Sequence, residues 1–180
     1  MLQKRFILTF ITFLCTNIGI MCTEKYQYIL NDPCILKIHL EASETINSPE
    51  ISIIKDALGV IIRFKIEDPI EEFHCLSAKT VNSLKEIEKF LAKIKKPAII
   101  EVHTEVFTLE KRRDLKNWEL STFIANNIEN YLIQISEKIS NKNIKSVGYG
   151  EFMPAKNTPN NGGKYSNRVD IIILCNIIGE

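Results

Sequence analysis

The chain has 180 residues, 45% hydrophobic and 25% charged, with a formal net charge of +1. These values are ordinary for a globular protein and exclude the strongly basic face that a nucleic-acid binder carries. With a targeting segment set aside, about 155 residues remain, enough for one domain with a single core. No internal repeat or low-complexity tract is visible.

Lys4 and Arg5 precede an uncharged run from Phe6 to Cys22, and Glu24 and Lys25 then restore polarity. A basic flank before a 17-residue apolar-to-neutral run has the layout of a secretory signal peptide. The run also sits at the lower limit for a spanning helix. A lipoprotein site at Cys22 or Cys15 would need a small residue before it, where Met21 and Leu14 stand. Residues 1–22 are read as a signal peptide or membrane anchor, 23–50 as an N-terminal extension and 51–180 as the folded domain. Cleaved signal, retained anchor and lipoprotein all place that domain on the same side of the membrane.

In the extension, Tyr26 to Leu30 and Ile35 to Leu40 read as short strands split by a turn at Asn31-Asp32-Pro33. Leu58 to Phe64 is rich in β-branched residues and reads as a strand. A helix follows from Ala78 to Lys95, with Val81, Leu84, Ile87, Leu91 and Ile94 at helical spacing. Ser77 is its N-cap, and Pro97 stops it. Ala98 to Thr104 is a strand that alternates Ile100 and Val102 with Glu101 and His103. After the charged loop Glu110 to Asp114, a second helix runs from Trp118 to Ser140. Ile144 to Tyr149 and Val169 to Leu174 are the last strands, separated by an Asn/Pro/Gly-rich loop from Pro154 to Gly163. The order predicts an α+β, two-layer βαβαββ sandwich with two helices on a mixed four-stranded sheet.

Three cysteines lie beyond the targeting segment. Cys34–Cys75 is a candidate disulfide in an exported protein, with Cys175 left over; the competing reading is buried structural thiols. No spacing resembles a zinc site, and no metal or cofactor is expected. His74 and Cys75 are adjacent, so on an extended segment they point to opposite sides and form no dyad. Neither a phosphate loop nor a Ser/His/Asp constellation appears, so an enzyme is not expected. Lys111-Arg112-Arg113 reads as solvated surface or as a face for acidic wall polymers. Trp118 either packs at its helix start or stacks on a sugar.

Four segments resemble the signatures of OmpA-like domains, in order and at family spacing, over residues 51–175. Ala98-Ile-Ile-Glu-Val-His-Thr-Glu105 is similar to the strand ending Gly-His-Thr-Asp. Asn117-Trp-Glu-Leu-Ser-Thr-Phe-Ile-Ala125 resembles Asn-x-x-Leu-Ser-x-x-Arg-Ala, in the form typical of the flagellar stator MotB branch. Gly148-Tyr-Gly-Glu-Phe-Met-Pro154 resembles Gly-x-Gly-Glu-x-x-Pro. Asn157 to Asp170 resembles the Asn-rich loop leading to Asn-Arg-Arg-Val-Glu/Asp.

The resemblance implies non-covalent binding to the peptide stem of peptidoglycan by a protein of the periplasm, attached to the inner or outer membrane through its N-terminal segment. It implies that the acid of His-Thr-Asp, here Glu105, pairs with the amino end of the stem's diamino acid. The family Arg that takes the carboxylate is Ile124 here, and an isoleucine on a helix joins the apolar stripe. Ser166 and Asn167 replace the first two residues of Asn-Arg-Arg, and Arg168 is kept. Such a charge-assisted pair is worth roughly 1.5–3 kcal/mol, so its loss weakens binding by about one to two orders of magnitude. His103 is expected to be a hydrogen-bonded residue behind the ligand. A MotB-type stator needs an intramembrane acid, and Phe6 to Cys22 has no Asp or Glu.

Two readings follow. In one, the domain docks on peptidoglycan through Thr104, Glu105, Asn117 and Arg168. In the other, it kept the fold but lost that ligand, and binds an envelope or flagellar-motor protein. A homodimer fits either.

Overall fold

The computed structural model describes residues 29–66, 76–104, 117–152 and 167–175. Eight elements follow in chain order: α1 (Pro33–Thr45), β1 (Ser52–Asp56), β2 (Gly59–Lys65), α2 (Ala78–Ile94), β3 (Ala98–His103), α3 (Asn117–Ile135), β4 (Ile144–Gly150) and β5 (Arg168–Leu174). The expected α+β class holds, with five strands and three helices among the described residues instead of four and two.

The additional helix replaces the strand expected at Ile35 to Leu40. Asp32 caps it, accepting from the Cys34 amide at 2.8 Å and the Ile35 amide at 3.4 Å. Pro33 occupies the first turn, where its missing N–H costs nothing. Ile35, Ile38 and Ala42 then fall on one buried side. Capping and three-to-four spacing outweigh the short alternation that suggested a strand. Of the other strand expected in the extension, Tyr26 to Leu30, Ile29 and Leu30 are helical rather than extended, and Tyr26 to Tyr28 lie outside the described residues. The additional strand is β1, a hairpin partner of β2 in which Asp56 opposes Gly59; the turn is held by the Leu58 amide on Asp56 Oδ1 at 3.0 Å.

Ser77 caps α2 as expected, its hydroxyl accepting from the Thr80 amide at 3.2 Å. The helix ends at Lys95 in a left-handed conformation with φ 52°. Helix α3 stops at Ile135, five residues short of the expected end. Turns follow, in which Asn143 Oδ1 accepts from the Ser140 amide at 2.8 Å.

The sheet order is β1-β2-β5-β3-β4. Strand β5 inserts between β2 and β3, antiparallel to both, while β3 and β4 are parallel and joined through α3. One sheet face presents Val60, Ile62, Phe64, Ile100, Val102, Val169, Ile171 and Ile173, all at most 3% exposed. All three helices contribute to the same cluster, among them Ile35, Leu84, Phe90, Ile128 and Leu132 at 0% exposure.

A disulfide joins Cys34, in the first turn of α1, to Cys175, just past β5. This corrects the expected Cys34–Cys75 pair: folding brings residues 141 apart in sequence to a Cα–Cα distance of 5.8 Å. Cys75 lies outside the described residues. Closing so long a loop restricts the unfolded chain, and Cys34→Ser is expected to cost about 2–4 kcal/mol. The check is the denaturant midpoint of the variant against wild type, with and without reductant. A midpoint insensitive to both would contradict the assignment.

Candidate functional site

The second face of the sheet carries charge. Strand alternation turns Arg63 (β2), Glu101 and His103 (β3), Arg168 and Asp170 (β5) and Tyr149 (β4) away from the helices. The register lines them up: Arg63 opposes Asp170, Asp170 opposes Glu101, and Arg168 opposes His103. The predicted alternation of Glu101 and His103 against Ile100 and Val102 is thereby seen.

Asp170 is the hub. Arg63 approaches it with two parallel bonds, Nε to Oδ1 at 2.6 Å and Nη2 to Oδ2 at 2.8 Å. Arg168 Nε donates to Oδ2 at 3.0 Å. Burial pushes the Asp170 carboxyl up, but the hydrogen bonds and charges of Arg63 and Arg168 together outweigh it and hold the group below the usual carboxylate range. The bond to Asp170 raises the Arg63 guanidinium above its ordinary value. Burial, only partly opposed by Asp170, lowers that of Arg168. The Tyr149 hydroxyl is raised by burial, then by the charge of Glu101 and a hydrogen bond to it.

His103 is 2% exposed and stacks on Tyr149, with centroids 5.3 Å apart and ring planes 17° from parallel. The expected hydrogen bond is not made: neither ring nitrogen has a partner. Nε2 lies 3.6 Å from Glu101 and 3.7 Å from Asp170, beyond hydrogen-bonding range. Glu101, His103 and Asp170 bring potential ligand atoms within 4.8 Å of one another. Two guanidiniums already hold Asp170, however, and a divalent cation there would be repelled by both.

The described parts of the four resembling segments converge at one end of the sheet. Thr104, 1% exposed, donates its amide to Gly150 O at 3.0 Å. Gly150 in turn donates to Ser121 Oγ at 2.8 Å, and Ser121 Oγ donates to Trp118 O at 3.0 Å. Gly148 lies directly against α3: a Cβ there would stand 2.1 Å from the Thr122 nitrogen and 2.4 Å from the Ser121 carbonyl carbon. Asn167 O accepts from the Ile66 amide at 3.0 Å, which ties the start of β5 to the end of β2.

Among the expected site residues, Thr104 and Arg168 lie at this pole. Both are buried, and Arg168 is bonded to Asp170. Asn117 opens α3 at the same end. Glu105, Lys111 to Arg113, His74 and the loop from Pro154 to Gly163 lie outside the described residues. Ile124 is 3% exposed in the core cluster, as an apolar stripe residue would be. Trp118 is 45% exposed. Sequence reasoning missed Arg63, Asp170 and Tyr149 as partners, as well as the Ser121 bridge. The signal for Arg63 was a lone charge between Ile62 and Phe64 in an apolar strand.

The OmpA family model matches residues 74–168. Among solved structures, an outer membrane protein from Borrelia burgdorferi B31 shares 31% identity at a TM-score of 0.51, covering 69% of this chain and 97% of that one. The cell wall anchor of the T6SS from Pseudomonas aeruginosa aligns with TM-score 0.61 and 15% identity, over 77% of this chain and 97% of that one. A putative MotB-like protein from Desulfovibrio vulgaris aligns with TM-score 0.62 and 16% identity, over 84% and 94%. No curated protein matches the chain in sequence.

Removing the hub charge leaves two guanidiniums facing each other, so Asp170→Asn is expected to cost about 3–5 kcal/mol, read by chemical denaturation. Because the folded carboxyl lies below its unfolded value of about 3.9, its contribution is fully present above that pH and is lost as pH falls through the folded value. Acid unfolding of Asp170→Asn should lack that component, as a stability–pH profile of the two proteins would reveal. Gly148→Ala should lower the thermal midpoint through a backbone clash; an unchanged midpoint would contradict the α3–β4 contact.

Proposed function

This chain belongs to the OmpA family, and on that premise we propose that it is an exported envelope protein whose domain associates non-covalently with the stem peptides of peptidoglycan. The observation that carries the reading is the convergence on one pole of the described parts of the four family signatures, three joined by the Thr104–Gly150 and Gly150–Ser121 hydrogen bonds and the fourth by the pairing of Arg168 with His103. Glu105 follows Thr104 directly and is assigned to the stem's amino group, since a carboxylate and an ammonium make a charge-assisted hydrogen bond. Asn117 is assigned to the polar rim. Arg168, already engaged by Asp170, shapes the pole from beneath.

Residues 1–22 are assigned to export or anchoring, and the domain to the periplasm. The Cys34–Cys175 bond supports this, since such bonds persist in oxidising compartments. Ile124 in the core leaves no guanidinium at the position where family members clamp a second carboxylate. The reading therefore favours a wall whose diamino acid offers an amine without that carboxylate. The burial of Ile124 equally favours the second reading, a module that kept the fold and binds an envelope or motor protein instead.

Sedimentation with sacculi from the native organism separates the two. Retention of wild type and loss of Glu105→Ala, by at least about tenfold for a charge-assisted contact, is the expected result. If neither protein sediments, the wall reading is wrong and the interaction module stands.

A further inference from the structure

A pull on the residues that precede α1 enters the folded domain at Cys34, in the first turn of that helix, whose sulfur is bonded to Cys175. Two routes lead onward. One follows the backbone of α1, which packs through Ile35, Ile38 and Ala42 and leads to β1 at the sheet edge. The other crosses the disulfide to the end of β5, the central strand. Side-chain packing of one short helix opens locally at modest cost, whereas a covalent bridge does not. The second route therefore takes the tension.

The point it reaches is tied on both sides. The Cys175 amide donates to Leu58 O at 3.0 Å, in the turn of the β1–β2 hairpin, and the Leu174 amide donates to Pro97 O at 2.9 Å, just before β3. From there β5 runs antiparallel to β3, with Ala98 opposite Ile173 at this end and His103 opposite Arg168 at the pole. Thr104 and Glu105 continue directly from β3. A pull at Cys175 and a counter-pull at Glu105 thus act on the C-terminal ends of two antiparallel neighbours, at opposite ends of the sheet. The strands are drawn past one another along their length. Ladder hydrogen bonds stand perpendicular to the strands, so this motion strains the whole ladder together, while peeling an edge strand breaks it pair by pair. The two parallel bonds from Arg63 to Asp170 tie β5 to β2 against the same slip.

We propose that the Cys34–Cys175 disulfide is a tension-carrying link: it passes force from an N-terminal membrane tether to the central strand and converts it into shear between β5 and β3. The proposal rests on the reading above, in which residues 1–22 anchor the chain while the pole holds the wall. A bond that only restricts the unfolded chain has no preferred direction in the folded protein. This one acts along a single axis, from the end of the domain that receives the N-terminal segment to the end that carries Glu105.

Single-molecule pulling tests it. The full chain is held at constant force through azide-bearing residues at positions 25 and 105, a chemistry that leaves its cysteines untouched. Oxidised wild type is expected to give way in one step. With the bond opened by a phosphine reductant, or in Cys34→Ser/Cys175→Ser, α1 should come away first, its 13 residues releasing about 45 Å of chain. Survival under load should then shorten by at least roughly tenfold. Held instead between Lys145, exposed at the start of β4, and Glu105, the protein is loaded outside the disulfide, and opening the bond should leave its survival unchanged. Equal shortening along both axes overturns the proposal, as does failure of α1 to come away first when the bond is open. Reduction of the wild-type molecule after capture keeps the test valid if the double variant does not fold. No wall takes part in the measurement, so a loss of the force difference strikes the tension link alone, and a failure to sediment with sacculi strikes the wall reading alone.

Discussion

Asp170 sits in the middle of the central strand at 3% exposure, where an ionised carboxylate without partners would cost several kcal/mol. Much of the architecture follows from keeping that charge satisfied. Arg63 must oppose it on β2, and Arg168 must stand two residues before it on β5. A one-residue slip of β5 would turn Asp170 and Arg168 together toward the helices, leaving Arg63 on the other face. The ionic row thus pins the register of β5 against both neighbours. It also makes the second sheet face unsuitable for an apolar layer, so all three helices gather on the other face.

The pole is organised by the joint between α3 and β4. A glycine without space for a Cβ lets the helix backbone meet the strand. One serine hydroxyl then serves both, accepting from Gly150 and donating to Trp118 O. The family signatures around Leu-Ser and Gly-x-Gly therefore have a structural reason independent of any ligand. This explains how the fold persists here although Ile124 has replaced the arginine: the residues that hold the pole together are distinct from those assigned to the ligand.

The disulfide and the pole occupy opposite ends of one strand. Arg168 begins β5, and Cys175 follows its end, so the two are separated by about 20 Å at the usual rise per residue. The clamp holds the first turn of α1 at the end remote from the candidate site. Binding groups at one end and the incoming chain at the other suit the proposed role of a domain held by its N-terminal segment and facing the wall.

The amino-acid sequence by itself determined the local elements whose signals are local. Ser77 capping α2, the Ile100/Val102 against Glu101/His103 alternation, and the strands expected at 144–149 and 169–174 were legible because caps and periodicity depend only on near neighbours. The resemblance likewise brought Thr104, Asn117 and Arg168 to one region. Helix α1 was misread because Ile35 to Leu40 satisfies both periods over so short a run, and packing of Ile35, Ile38 and Ala42 decided between them. Strand β1 carried too weak a pattern to stand without β2 beside it. What only the tertiary structure decided were the pairings across long separations: Cys34 with Cys175, Arg63 with Asp170, Ser121 with Gly150. Each links residues whose types are common and whose spacing is arbitrary, so nothing in the chain marks them as partners until the strand order β2-β5-β3 brings them together.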